Sequence, residues 1–352
     1  MNTIHINASQ AYDVVIARGI LHDCGKYLRP LLPGRKILVA TENRVAPLYL
    51  DRVLRSLREA GFEADSFIFP AGEASKNAAV WLQLIDRLAA CELTRSDAVA
   101  ALGGGVTGDL AGFAAACYLR GVRYVQLPTT LLAAVDSSVG GKTAVDLSVG
   151  KNLLGAFHQP CAVLCDPDTL DTLPAATFSD GCGEVIKYGM YGNAHLLELL
   201  GRGSFAAHAE EIISICVDMK RDIVERDEFD TGARQILNFG HTFAHAIEAL
   251  SNFSVGHGHA VGMGMRIITA ASVKLGFCPA ECLDILDALL EKYNLEKRCA
   301  YSAAQLAEGA MRDKKRAGNR ITLAIPTGVG TSTLHEIDTG ALESWAKAGL
   351  EA

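Results

Sequence analysis

Short apolar runs alternate with helix-length amphipathic segments over the first 170 residues, and this alternation limits the fold more than any other feature. Residues 36–40 (KILVA) read as a strand and 45–60 as a helix. Residues 66–69 give a second strand and 76–91 a second helix. Residues 98–102 give a third strand, and 124–127 and 162–165 follow. Strands separated by helices pair in parallel, with the helices covering the sheet. Past Pro174 the pattern is mostly helical to about residue 310, and 320–325 reads as a late strand. A chain of 352 residues is long enough for two domains. The expected class is therefore α/β + α, with an α/β domain over 1–170 and a mostly helical domain over 171–352.

The third strand runs into Gly103-Gly104-Gly105-Val106-Thr107-Gly108, which fits GxGxxG between a strand and a helix. Glycines there let backbone N–H groups approach a pyrophosphate at a helix N-terminus, as in Rossmann-like domains. A plain tight turn accounts for them equally well. The motif follows the third strand rather than the first, and no acidic residue ends a strand about 20 positions on. Asp109 suits the helix dipole but opposes a phosphate. Further on, 136–145 (DSSVGGKTAV) and Gly150-Lys151-Asn152 are rich in glycine and hydroxyls. Gly-Gly-Lys-Thr resembles a phosphate loop, but Asp136 stands where GxxxxGKT has its first glycine, so a Walker-type NTPase is not expected. The stretch reads as a loop that contacts anions through Lys142, Lys151 and Asn152.

Arg234, Asn238, His241 and His245 are spaced i, i+4, i+7, i+11. At about 100° per residue they share roughly 60° of one helix face. Ile236, Phe239, Phe243 and Ile247 fall on the opposite face. An ordinary solvated face and a site are equally good readings of such a stripe. His257 follows His241 by sixteen residues, across a glycine-containing break, and Glu184 sits far upstream in a glycine-rich segment. One carboxylate and two imidazoles leave room for water or substrate on a catalytic Zn²⁺ ion. Spacing alone does not bring these three together.

Composition removes other classes. The net charge is -7, with no basic run, which argues against nucleic acid as a partner. No run of about 20 apolar residues is present, so no transmembrane helix is expected. The first residues lack the basic-then-apolar layout of a signal peptide. The ten cysteines form no CxxC and sit mostly in apolar surroundings, which suits reduced structural thiols in a cytosol. Cys161/Cys165 and Cys278/Cys282 do not match the usual zinc spacing.

Taken in order, these segments resemble the 3-dehydroquinate synthase family of sugar-phosphate cyclases. The likeness runs from about residue 36 to 330. It includes Gly72-Glu73-Ala74-Ser75-Lys76, 103–109, 127–130, 136–142, Lys151-Asn152, 184–189, Asp227-Glu228, 237–248, His257-Gly258 and Asp313-Lys314-Lys315. The resemblance implies an N-terminal NAD-binding domain, a C-terminal helical domain and an active site in the cleft. It implies that Glu184, His241 and His257 hold a divalent metal, zinc or cobalt. It implies NAD contacts at Glu73, Lys76, Gly105, Val106, Thr107, Gly108, Asp109, Thr129, Thr130, Lys142, Lys151, Thr169, Leu170, Asp171 and Thr172. Substrate and catalytic positions are implied at Asp136, Lys142, Asn152, Lys187, Lys220, Arg234, Asn238, His245 and one of Lys314/Lys315. Arg120 matches an arginine offered to a neighbouring subunit's phosphate, which implies a homodimer. The implied activity is that of a cytoplasmic, phosphate-eliminating carbon–oxygen lyase of the shikimate pathway, which leads to chorismate and the aromatic amino acids. It acts on 3-deoxy-D-arabino-heptulosonate 7-phosphate.

Three rivals stand beside this. A cyclase making 2-epi-5-epi-valiolone or 2-deoxy-scyllo-inosose differs among residues that read the substrate carboxylate. A metal-dependent polyol dehydrogenase consumes its NAD. A catalytically dead paralogue loses ligands or lysines, and none of the matched set is missing here. One position departs from the common pattern: His259 stands where many members have glutamate. It is expected to affect hydrogen bonding around the metal or to compete with His257 as the ligand.

Overall fold

The computed structural model describes residues 1–311 and 319–351, so Lys314 and Lys315 lie outside the described residues. The chain forms two compact units, Met1–Leu173 with Cys216–Phe229, and Pro174–Ile215 with Asp230–Ala352.

The first unit holds nine strands: β1 (Asn2–Ile6), β2 (Tyr12–Ile16), β3 (Lys36–Glu42), β4 (Glu63–Phe69), β5 (Ala98–Gly103), β6 (Arg123–Pro128), β7 (Lys142–Leu147), β8 (Gly150–Phe157) and β9 (Ala162–Cys165). Seven of them make one sheet in the order β1-β2-β9-β6-β5-β3-β4. Only β1 and β2 pair antiparallel in it; the other neighbours are parallel. Helices α1 (Cys24–Leu28), α2 (Asp51–Glu59), α3 (Ala78–Ala90) and α4 (Gly105–Cys117) cover the sheet. On β3, Ile37 and Val39 join the core of Leu28, Val53 and Leu57, while Leu38 and Ala40 join Leu84, Leu88, Leu110 and Ala114. Both faces are buried, which is why this strand reads as a continuous apolar run rather than an alternation.

The chain runs outward from β3 to β4, then returns with β5 on the other side of β3. Where the winding direction reverses, the loops after neighbouring strands part and leave a crevice at their carboxyl ends. Gly103-Gly104-Gly105 sits at that end of β5.

Two elements differ from expectation here. The β1–β2 hairpin is not in the sequence reading. The stretch over 142–157, read in part as an anion-contacting loop, is the antiparallel β7–β8 pair. Its strand character was masked by flanking glycines.

The second unit contains α5 (Ala175–Gly192), α6 (Ala194–Gly201), the first part of α7 (Ala209–Arg226), α8 (His241–Leu250), α9 (His257–Lys274), α10 (Glu281–Lys292) and α11 (Ala303–Met311). The antiparallel pair β10 (Arg320–Gly328) and β11 (Thr331–Asp338) follows, then α12 (Leu342–Leu350). From Cys216 onward α7 belongs to the first unit. No described helix is long and apolar enough to cross a membrane.

The single helix expected to carry Arg234, Asn238, His241 and His245 is not formed. Arg234 and Asn238 lie on a short 3₁₀ helix, Ala233–Asn238, which ends at an extended Phe239. Gly240 follows with φ 78, and α8 begins at His241. A left-handed residue cannot sit inside an α-helix, and glycine takes that conformation without steric cost.

Candidate active site

Three helices of the second unit each contribute one side chain to a common point. Glu184 lies in the middle of α5, His241 is the first residue of α8, and His257 is the first residue of α9. One ligand atom from each lies within 4.8 Å of the others, the only such group among the described residues. His259 is not part of it.

Glycines permit this convergence. A methyl group on Gly183 would stand 2.5 Å from the Gly258 carbonyl oxygen, so α5 and the start of α9 touch backbone to backbone. A methyl on Gly264 would stand 2.1 Å from the Gly240 carbonyl oxygen, which brings α9 equally close to the start of α8. The Asp180 carboxylate accepts hydrogen bonds from the Gly258 and His259 amides at 2.7 and 3.3 Å, capping α9 from α5.

The orientation of the imidazoles is informative. His241 donates Nδ1–H to the Phe239 carbonyl at 3.2 Å, and His257 Nδ1 faces Glu248 Oε2 at 3.4 Å. Their Nε2 atoms then both face Glu184 Oε1, at 3.4 and 3.2 Å. An imidazole whose Nδ1 is held by an oxygen presents Nε2 as a ligand. Glu184 is fully buried, and its Oε2 pairs with the Lys187 ammonium one turn along α5 without an aligned hydrogen bond. A carboxylate and two ring nitrogens aimed at one another need a proton or a metal cation between them, and both Nδ1 atoms already face oxygens. The residues fit a divalent metal.

The electrostatics differ between the two histidines. Burial opposes the charge on Glu184, but Lys187 and His241 outweigh it and hold the carboxyl well below the usual range. Burial pushes His241 down to about 4, toward the neutral ligand form. Burial pushes His257 down too, but its hydrogen bonds to Glu184 and Glu248 outweigh that and carry it up to about 10. His245, one turn beyond His241, lies edge-on to it with ring centroids 5.5 Å apart. Arg234 is buried on the turn before α8. Glu248, buried behind His257, was missed from sequence although it lies in the quoted 237–248 segment. Its place seven residues after His241, on the same helix face, was the available signal.

In the first unit, the residues expected to hold a dinucleotide follow the carboxyl ends of parallel strands. Glu73 and Lys76 follow β4, Gly105 to Asp109 follow β5, Thr129 and Thr130 follow β6, and Thr169 to Thr172 follow β9. No side chain caps the first turn of α4, and Gly104 packs against the Thr130 methyl group. The Thr129 amide donates to the Gly103 carbonyl at 3.0 Å. An uncapped helix start at a switch point fits a pyrophosphate. Asp109, which would oppose it, is neutralised by Lys76 at 2.5 Å. Lys76 also donates to Asn152 Oδ1 at 2.6 Å, and Lys151 faces Glu73 at 3.3 Å. Thr172 instead bonds Tyr49 at 2.5 Å.

Lys220 donates to the Asp136 carbonyl at 2.6 Å and pairs with the Asp136 carboxylate. Lys142 opens β7 on an exposed face. Arg120 is exposed on a turn where Leu119, Arg120 and Gly121 all have positive φ, at 51, 67 and 119.

Comparison with solved structures defines the class first. The fold is that of the sugar-phosphate cyclases. A 2-epi-5-epi-valiolone synthase from Streptomyces hygroscopicus, solved with NAD⁺ and Zn²⁺ bound, matches with a TM-score of 0.88 over 97% of each chain at 24% identity. A 2-deoxy-scyllo-inosose synthase complexed with carbaglucose-6-phosphate, NAD⁺ and Co²⁺ matches with a TM-score of 0.84 at 22% identity, over 97% of this chain and 100% of that one. At sequence level, the family model for the 3-dehydroquinate synthase N-terminal region matches residues 66–180, and that for its C-terminal region matches 181–316. The 3-dehydroquinate synthase of Streptococcus sanguinis is 42% identical over 96% of this chain and 97% of its own. The chain belongs to the 3-dehydroquinate synthase family.

Proposed function

We propose that the chain converts 3-deoxy-D-arabino-heptulosonate 7-phosphate to 3-dehydroquinate and inorganic phosphate, a lyase reaction. The observation that carries this is the Glu184–His241–His257 triad with both Nε2 atoms turned inward. It occurs in a chain 42% identical to a 3-dehydroquinate synthase over 96% of its length. Glu184, His241 and His257 would hold a Zn²⁺ or Co²⁺ ion, and the residues after β4, β5, β6 and β9 would hold NAD. A metal bound there would supply Lewis-acid polarisation of a substrate oxygen, and bound NAD would supply a reversible hydride acceptor.

The remaining work falls to the chain's own groups. Lys142, Lys220 and Arg234 neutralise the substrate's phosphate and carboxylate. Asp136 holds Lys220 through its carbonyl and carboxylate, so that ammonium is ordered before substrate arrives. His245 exchanges a proton beside His241, and Lys187 keeps Glu184 charged. Arg120 reaches the phosphate of a second copy, which makes the working form a homodimer.

The test is incubation with the heptulosonate phosphate, Zn²⁺ or Co²⁺ and trace NAD⁺. Phosphate and dehydroquinate should form in many-fold excess over NAD, with no lasting absorbance at 340 nm. EDTA should abolish turnover and added metal restore it. Stoichiometric NADH accumulation defeats the proposal.

A further inference from the structure

Two glycines, Gly140 and Gly141, immediately precede Lys142, and their conformation needs outside support. Gly140 and Gly141 have φ 92 and 67, consecutive left-handed residues just before β7. A glycine pair loses more entropy on ordering than any other dipeptide. Gly140 donates its amide to the Tyr12 hydroxyl at 3.0 Å. Tyr12 is buried at the start of β2, where a phenyl ring alone would fill the same space. The hydroxyl is what reaches the turn.

A second arm arrives at Gly141. The Gln159 side chain lies 2.7–2.9 Å from where a Gly141 methyl group would be, so the amide packs flat on the glycine. Gln159 is 4% exposed, and its Oε1 is buried without a partner. Its orientation is set from the other end, where Nε2 donates to Glu228 Oε1 at 2.8 Å. Glu228 in turn accepts from the Ser9 amide at 2.8 Å and the Ser9 hydroxyl at 2.5 Å. Ser9 lies in the turn between β1 and β2.

We propose that the β1–β2 hairpin is a brace for the Gly140–Gly141 turn, with Tyr12 and Glu228 as positioning residues that fix Lys142 for substrate. Both arms start in the hairpin and end on the two residues that precede Lys142. The inference rests on the reading that Lys142 contacts substrate.

The test is steady-state kinetics of the metal- and NAD-loaded enzyme for Tyr12→Phe, Glu228→Gln, Lys142→Ala and the two double variants with Lys142→Ala. Loss of one positioning hydrogen bond should lower kcat/KM for the heptulosonate phosphate about tenfold. Metal content should hold, because none of these residues is a metal ligand. In the Lys142→Ala background the same changes should cost about twofold or less, because the residue they position is gone. Additive losses in the doubles, or wild-type kinetics for both single variants, overturn the inference while leaving the Lys142 reading intact. Wild-type kinetics for Lys142→Ala overturn both. Should Tyr12→Phe not fold, Glu228→Gln and Ser9→Ala carry the same comparison through the second arm.

Discussion

Glu184 carries the most demanding environment in the chain, fully buried with an ammonium on one oxygen and two imidazoles on the other. Such a group is stable only while each neighbour keeps its orientation. For His257 that orientation comes from Glu248, whose Oε2 lies 3.4 Å from Nδ1. A carboxylate behind a ligand imidazole fixes the tautomer and raises the basicity of the ligating nitrogen. Glu248→Ala should therefore weaken Zn²⁺ binding by about 10–100-fold, the usual cost of losing such a partner. Competition with a chromophoric chelator measures it, with circular dichroism to confirm the fold. Unchanged metal affinity would show that His257 needs no partner on Nδ1.

The helix crossings that assemble the triad depend on residues with no side chain. A methyl group on Gly258 would stand 1.7 Å from the Asp180 carbonyl oxygen, closer than any backbone tolerates. The start of α9 must then move away from α5, taking His257 from Glu184. Gly258→Ala should cost roughly 3 kcal/mol, the upper end of overpacking, read as a lower midpoint in urea, and it should lose metal. A variant with full metal occupancy and an unchanged midpoint defeats this account. These elements also show which features the residue pattern exposes. The parallel strands 36–40 and 98–102 were legible because burial on both faces leaves an apolar run. The glycines after β5 and the two histidines were legible as chemistry. The break at Phe239-Gly240 was not, because side-chain spacing says nothing of a left-handed φ at one residue. Nor was the position of β9 between β2 and β6, a long-range pairing that no local pattern encodes. Glu248 had no signal beyond its helical phase.

For the enzyme as a whole, the choice among sugar-phosphate cyclases turns on the substrate carboxylate. The polar group proposed to read it, Arg234, is 3% exposed. A guanidinium fork matches a carboxylate through two parallel hydrogen bonds. Lysine carries the same charge but cannot reproduce the fork. Removing one partner of such a desolvated pair costs about 2–5 kcal/mol, or roughly 30-fold to several-thousand-fold in rate. Arg234→Lys should fall in that range on the heptulosonate phosphate while metal content stays at the wild-type level, because Arg234 lies on the short 3₁₀ helix and the ligands lie on α5, α8 and α9. The complementary measurement changes the substrate rather than the protein. Sedoheptulose 7-phosphate has no carboxylate, so the wild type loses the same interaction and should turn it over slowly. Arg234→Lys has already lost that contact and should discriminate far less between the two sugars. Should the wild type cyclise sedoheptulose 7-phosphate as fast as the acid, Arg234 does not read a carboxylate, and the substrate belongs to the neutral-headed cyclases instead.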